Sequence, residues 1–521
     1  MPATDLDAAN EQLFVLHEIV EEQRREIEKA KADRERLLAE LQLLRRGLFG
    51  RKRESFDPNQ LRFFDETPVA EVEYEEIVLP ERKVKRKKPG HGRAPFPEHL
   101  PRETIQLDVP EAERCCAECG EGMKPIGEDV TERAHIVPAK LVVKRYVRAK
   151  YACPKGHGVK TAPMPEGVVD GGKYEASVYG HVVASKYADH LPLNRLEGIF
   201  KRYGAPISKQ TMWDLLVRVD ELVAKPVLEQ MRAELLLEPV LHADESPVTL
   251  RTEGEKATRT GYVWLWRNTR IREVPKVLVD FRPSRSRDGP IAFLGSWSGA
   301  LITDGYSGYD AVERRNGLRR AGCWAHARRK FKNAFDTGSK TSLRVIRPIQ
   351  RLFWLERAIA SRAERDGLSV DELLVLRERV RARRSARVIE CIYRVAAGLE
   401  ALRSTLPQSE LGKALKYLGN QREPLMAFLL DARIPIHNND AERDLRHIVT
   451  GRKNWLVFGS AKGGEVGARL FSLVLSCKQN GIDPEEYVTD VLGRISTTLQ
   501  SQIATLTPWG WAAARAAETA G

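Results

Sequence analysis

VLHADESPVTL at 240–250, GYVWLWRN at 261–268 and KVLVDFRPS at 276–284 decide the fold. Each is a short run rich in β-branched and aromatic residues, bounded by charged or turn-forming ones, which is the pattern of a strand. A helix signal follows around Asp288–Leu294, and then GALITDGYSGYD at 299–310 reads as a fourth strand that ends in a glycine turn.

Three antiparallel strands, a helix and a further strand are the start of a ribonuclease H-like α/β core. Asp244 lies in the first strand and Asp304 at the end of the fourth. A lone carboxylate in an apolar strand is costly, so these two positions ask for a reason. Both would project to one edge of the sheet. Phosphoryl chemistry with two metal ions needs a third acid beside them. Glu442 is the best candidate, in HNNDAERDLRHIVTGRKNW at 437–455, where the Asn438-Asn439 pair turns the chain into a helix. Arg446 is one turn on and shares its face. Asp440 competes but fits better as an N-cap. The gap between Asp304 and Glu442 is too long for one connection and must hold an insertion. Its residues, 336–436, read as helices.

Outward from this core the chain changes character several times. Residues 5–48 carry apolar positions at heptad spacing (Leu6, Leu13, Val20, Ile27, Leu41, Leu48 on one seam), which predicts a coiled coil and a homodimer or higher assembly. Residues 82–93, RKVKRKKPGHGR, hold seven basic residues and no acid. They form either a solvated linker or a strap along a phosphate backbone. Cys116-x-x-Cys119 has the spacing of a metal knuckle, with Cys115 as a rival for Cys116, and Cys153 with His157 supplies a second pair. Between them, 126–137 and 140–153 read as two strands, so a structural Zn²⁺ would hold a segment with little core of its own. Leu193–Tyr203, a turn at Gly204-Ala205-Pro206 and a helix capped by Ser208 make a helix-turn-helix pattern, or a plain helical hairpin. Its second helix would present Lys209, Gln210 and Thr211 to DNA.

The whole chain has 521 residues, 85 Lys+Arg against 72 Asp+Glu, a net charge of +13 and 42% hydrophobic residues. That composition excludes wholesale disorder and makes a polyanion the first partner to consider. Seven cysteines over such a length are no disulfide framework. No stretch is long and apolar enough for a membrane span, and the acidic N-terminus lacks a secretory signal, so a soluble protein of a reducing compartment is expected. The positive charge is local. It gathers at 82–93, in RRAGCWAHARRKFK at 319–332, and after Glu442. Arg328, Arg329, Lys330, Arg443, Arg446, Arg452 and Lys453 are therefore the expected DNA contacts beside the carboxylates. Trp324 and Trp455 either stack on an unpaired base or belong to the core.

HADESPV (242–248), LITDGYSGYD (301–310), CWAHARRKF (323–331), NNDAERDLR (438–446) and GRKNWLVFGS (451–460) together resemble the large DD(E) transposases of the insertion sequence 66 family. The likeness extends over nearly the whole chain, from LFGRKRE (48–54) through KYADHLPLNRLE (186–197) and SKQTMWDL (208–215) to LTPWGW (506–511). It implies that Asp244, Asp304 and Glu442 are the catalytic triad, holding two Mg²⁺ ions or Mn²⁺ in their place. It also implies cut-and-join chemistry at terminal inverted repeats, and two small accessory proteins of the same element. Two positions depart from the family. His437 stands where Asp is usual, and Gly156 stands at the second knuckle cysteine, with His157 following. The expected order is coiled coil (1–50), linker (51–110), zinc-binding domain (111–165), helix-turn-helix (166–235), ribonuclease H-like core (236–335), helical insertion (336–436), last part of the core (437–490) and tail (491–521). A non-catalytic DNA-binding regulator and a metal-dependent nuclease that cuts without joining are the alternatives.

Overall fold

The computed structural model describes Thr104 and residues 140–520, apart from 153–158, 166, 169–171, 252–256, 270, 272–273 and 403–404. The expected coiled coil, the basic run 82–93 and the four zinc-ligand candidates Cys116, Cys119, Cys153 and His157 lie outside the described residues. The chain divides into two units, one of them 52–142; the rest of this description concerns the other, from Val143 on.

The strand expected over 140–153 is much shorter. Only Lys150–Ala152 (β1) is a strand, paired antiparallel with Val159–Thr161 (β2). Residues 143–149 are exposed on both sides, so their apolar alternation buries nothing. Four helices follow: α1 (Ala176–Val183), α2 (Leu193–Arg202), α3 (Lys209–Val219) and α4 (Lys225–Leu235). The turn between α2 and α3 places Gly204 at φ 84°. Ser208 caps α3 by accepting from the Thr211 backbone N–H at 3.1 Å, which satisfies one of the helix's orphan donors.

The central sheet has five strands: β3 (Val240–Arg251), β4 (Thr258–Asn268), β5 (Val277–Arg282), β6 (Ala300–Thr303) and β7 (Arg319–Gly322). The spatial order is β5-β4-β3-β6-β7. The first three strands are antiparallel, while β6 runs parallel to β3 and β7 parallel to β6. Helix α5 (Asp288–Leu294) makes the crossover to β6, where the sequence predicts it, and α6 (Asp310–Asn316) leads to β7. Strand β7 falls inside the basic run 319–332, and Arg320 is buried there against Asp310 at 2.9 Å. From β7 the chain enters α7 (Trp324–Asp336).

The insertion is α8 (Leu343–Asp366), α9 (Val370–Val380), α10 (Ala386–Glu400), α11 (Glu410–Asn420) and α12 (Arg422–Leu430). Ile349, Leu352, Ile392, Leu415 and Phe428 form its core together with Phe331 and Trp324 of α7. Part of the arginine-rich stretch 377–387 is structural. Arg381 is fully buried, pairs with both carboxylate oxygens of Glu356 and donates to the carbonyls of Phe428 and Ile434.

The chain then returns as α13 (Asn439–Trp455), α14 (Ala461–Gln479), α15 (Pro484–Arg494) and α16 (Pro508–Ala520). Strand β5 is a sheet edge with unpaired backbone groups, a liability that α14 covers. The Ser472 hydroxyl accepts from the Val279 N–H at 2.7 Å, and the Ser476 hydroxyl donates to the Val277 carbonyl at 2.7 Å. Because helices cover the sheet, Val263–Trp266 of β4 are all buried and show no alternation. One core joins these strands to α14, α15 and the helices of 176–235, through residues such as Leu196, Met212, Leu241, Trp266 and Phe471. Among the described residues no helix is long and apolar enough to cross a membrane.

Candidate active site

Asp244 sits in β3, two residues beyond the His242–Ile302 pairing of β3 with β6. Asp304 follows β6 directly, so the parallel register carries it level with Asp244. The turn after it needs Gly305 at φ 95°, a conformation that a side chain resists. A Cβ there would also meet the Gln421 side chain about 3.0 Å away. The Asp304 carboxylate accepts from the Tyr306 N–H at 3.0 Å, and its carbonyl accepts from the Tyr417 hydroxyl of α11 at 2.9 Å. The insertion therefore reaches the loop that carries Asp304.

Glu442 comes from the first turn of α13, and Asn438 fixes where that turn starts. The Asn438 side chain is fully buried. Its Nδ2 donates to the Ala243 carbonyl at 2.8 Å, its Oδ1 lies 2.8 Å from His242 Nδ1, and its backbone N–H donates to Cys323 Sγ at 3.2 Å. One residue thus ties the helix to β3 beside Asp244 and to the start of α7. Asn438, not Asp440, holds the N-cap position, and Asp440 pairs with Arg443 at 2.9 Å inside the first turn. A second tie lies two residues past Glu442. Asp444 is buried in an ion pair with Arg267 of β4 and accepts from Gln479 of α14 at 2.7 Å.

The three carboxyls act on one another. Burial, then Glu442, Asp304 and Glu245 in that order, raise Asp244 well above the ordinary carboxylate range. Glu245, the next residue of β3, has its own partners: Arg285 at 3.0 Å and the buried Tyr309 hydroxyl at 3.1 Å. Arg329 of α7 donates to Glu442 Oε2 at 3.1 Å. Each acid supplies hard oxygen donors, the ligand chemistry of Mg²⁺ and Mn²⁺, and their mutual repulsion is the field that a divalent cation relieves.

The basic residues expected near these acids divide by placement. Arg329 touches Glu442, and Lys330 is exposed with its ammonium 4.7 Å from the centre of the Tyr417 ring. Arg328 is half-buried, and burial with the neighbouring Arg357 lowers its pKa. Arg443 and Lys453 are exposed on α13, and Arg446 is half-buried one turn after Glu442. Arg452 bonds back to β3, to the Ser246 hydroxyl at 3.1 Å and to the Pro247 carbonyl. Lys209 and Gln210 are exposed at the start of α3, whereas the Thr211 hydroxyl is taken up by Ser208 at 2.9 Å. Trp324 is a core residue, fully buried, with Nε1 donating to the Leu425 carbonyl at 2.8 Å. Trp455 packs on Phe458 at 4.6 Å and lines a cavity of about 210 Å³ with Trp213, Lys186 and Leu193. His437 lies flat against the Phe353 ring.

Sequence reasoning missed Asn438, Cys323 and the Tyr417 contact. Asn438 had a signal, since a buried Asn before a helix is a capping residue. Tyr417 had none, because its contact joins elements 113 positions apart.

The family described as "Transposase IS66 family" matches residues 171–466, a span that holds Asp244, Asp304 and Glu442. The zinc-finger binding domain of the IS66 transposase matches 113–155, a stretch that includes Cys116, Cys119 and Cys153 and stops short of His157. "Transposase C of IS166 homeodomain" matches 36–105, and the IS66 C-terminal element matches 472–509. Among curated proteins, uncharacterized protein y4jD of Sinorhizobium fredii is 34% identical over 82% of this chain and 83% of its own. Proteins y4qI and y4hP of the same organism are 32% and 29% identical, over 82% and 84% of this chain and 79% of each of theirs. With the central family match spanning more than half of the sequence and flanking matches on either side, the chain belongs to the insertion sequence 66 (IS66) family of transposases.

Proposed function

We propose that this chain binds the terminal inverted repeats of an insertion sequence and catalyses metal-dependent DNA strand cleavage and strand transfer. One observation carries the reading: β3, the loop after β6 and the first turn of α13 bring Asp244, Asp304 and Glu442 close enough for Asp304 and Glu442 to raise Asp244. The sheet order, three antiparallel strands followed by two parallel ones, supports a ribonuclease H-like core.

In this reading Asp244, Asp304 and Glu442 hold two divalent ions, Mg²⁺ or Mn²⁺. Such ions neutralise charge on the phosphate under attack and orient the attacking and leaving oxygens. The remaining steps belong to the chain itself. Asn438 and the Arg267–Asp444 pair fix the direction of Glu442. Lys330, Arg443, Arg446 and Lys453 hold backbone phosphates, and Lys209 and Gln210 at the start of α3 meet DNA as the second helix of a helix-turn-helix. Water opens a phosphodiester at the element end and leaves a 3′-OH, which then attacks target DNA in line. A structural Zn²⁺ on Cys116, Cys119, Cys153 and His157, self-association through residues 1–50, accessory proteins of the same element and action at the bacterial nucleoid complete the proposal.

The test is incubation of the full chain with labelled inverted-repeat duplex and Mg²⁺, beside Asp244→Ala. Cleavage at the repeat boundary should fall by about 10²-fold or more in the variant, the scale for losing one preorganised charge-stabilising group. Cleavage that persists in Asp244→Ala rejects the triad. Binding without cleavage by the unmodified chain favours the regulator.

A further inference from the structure

Behind Glu442 lies a second set of ligand atoms of a different kind. Cys323, His326 and Glu442 each offer one atom, and the three lie within 4.8 Å of one another. Cys323 is the residue from which α7 springs, and His326 stands one turn on, so the Cys-x-x-His spacing points both side chains the same way. Nδ1 of His326 faces Oε1 of Glu442 at 3.5 Å. Both atoms are buried and neither makes a hydrogen bond. Two buried polar atoms left facing each other are costly, which makes them an exception to explain. The sulfur is prepared differently. Cys323 Sγ is fully buried and accepts the Asn438 N–H at 3.2 Å, and the Ala325 and His326 N–H groups also reach it. Burial and the Glu442 carboxylate outweigh these donors and push the thiol up to about 12, so a cation must displace its proton to bind the sulfur.

We propose that Cys323 Sγ, His326 Nδ1 and Glu442 Oε1 form a site for a soft divalent cation of the Zn²⁺ class, separate from the cysteine knuckles of the zinc-finger region. A thiolate, an imidazole and one carboxylate with a fourth position open are a zinc ligand set, whereas Mg²⁺ avoids sulfur. Binding releases the thiol proton to solvent. Arg329 occupies the neighbouring space, 3.4 Å from His326 Nε2 and 3.1 Å from Glu442 Oε2. Its side chain is about one-third exposed. It swings outward when the ion enters, freeing Nε2 to carry the ring proton. The consequence rests on the function proposed above: Glu442 cannot serve both sites, so Zn²⁺ removes a ligand from the Mg²⁺ pair and stops cleavage.

The test does not depend on activity. The metal-free full chain is titrated with Co²⁺, which fills the knuckles of the zinc-finger region as well, while thiolate-to-cobalt absorption is recorded. The unmodified chain should take up about one further equivalent with that band, and Cys323→Ser should lose it. His326→Ala, where the side chain is about one-fifth exposed, should keep the fold and weaken Co²⁺ by about tenfold or more. Identical titrations for the unmodified chain and a folded Cys323→Ser overturn the site. If Cys323→Ser fails to fold, unchanged Co²⁺ affinity in His326→Ala overturns it equally.

Discussion

Glu442 and Asp444 stand two residues apart on α13, and the protein treats them in opposite ways. Asp444 turns inward, where Arg267 and Gln479 satisfy it completely within the fold. Glu442 turns towards Asp244 and Asp304, where it contributes to raising Asp244, and its one guanidinium partner, Arg329, is about one-third exposed rather than buried. A buried acid with a local partner is a joint. An acid that repels its neighbours is a place kept for something the chain does not supply. The difference cannot be read from residue type, and burial alone does not give it either.

Breaking the joint should have the largest effect. Asp444→Ala leaves the Arg267 guanidinium buried without its carboxylate, a change that typically costs about 3–5 kcal/mol. Denaturant unfolding of the variant against the parent measures it. A loss below about 1 kcal/mol, the scale of an exposed pair, would show that Arg267 finds solvent and that the contrast with Glu442 is overstated.

The carboxylate cluster should behave in the reverse sense. The folded state holds the Asp244 proton more tightly than the unfolded chain does, so this group stabilises the fold at low pH and loses that contribution as pH rises through the carboxylate range into its raised folded value. Asp244→Asn should therefore gain thermal stability relative to the parent as pH rises from acid to neutral. Mg²⁺ should do for the parent what the substitution does for the variant. At a concentration 100 times its dissociation constant it would stabilise the parent by about 2.7 kcal/mol, with a much smaller effect on Asp244→Asn. Equal shifts in both proteins would remove the cation from the cluster.

Much of this was legible in the sequence. The strands over 240–284, the helix at 288–294 and the cap at Ser208 are local, because apolar runs and capping residues act within a few positions. The positions of Asp244 and Asp304 followed from strand register. What the sequence hid was long-range. Strand β7 is a four-residue run whose two arginines look like a DNA contact until Arg320 is seen to be buried on Asp310. Arg381 is hidden in the same way, since a helix face crowded with arginines looks solvated unless Glu356 and the end of α12 are known to close over it. The extended segment before β1 failed for the opposite reason: its alternation is real, but among the described residues only Val159–Thr161 offers a strand to pair with.

The smallest predicted effect asks which kind of region the insertion is. Tyr417 is the point at which α11 meets the loop that carries Asp304, through a single hydroxyl on the Asp304 carbonyl. If the insertion acts as scaffold, in the manner of Asp444, Tyr417→Phe removes one neutral hydrogen bond and costs about 1 kcal/mol in unfolding. Cleavage would then fall by less than about tenfold, because the Asp304 side chain keeps its bond to the Tyr306 N–H and Gln421 still packs on Gly305. A fall of about 10²-fold with stability intact would mean something else. The Tyr417 ring, with Lys330 against its face, would then be touching DNA itself, and the insertion would belong with Glu442 as part of the surface that waits for a partner.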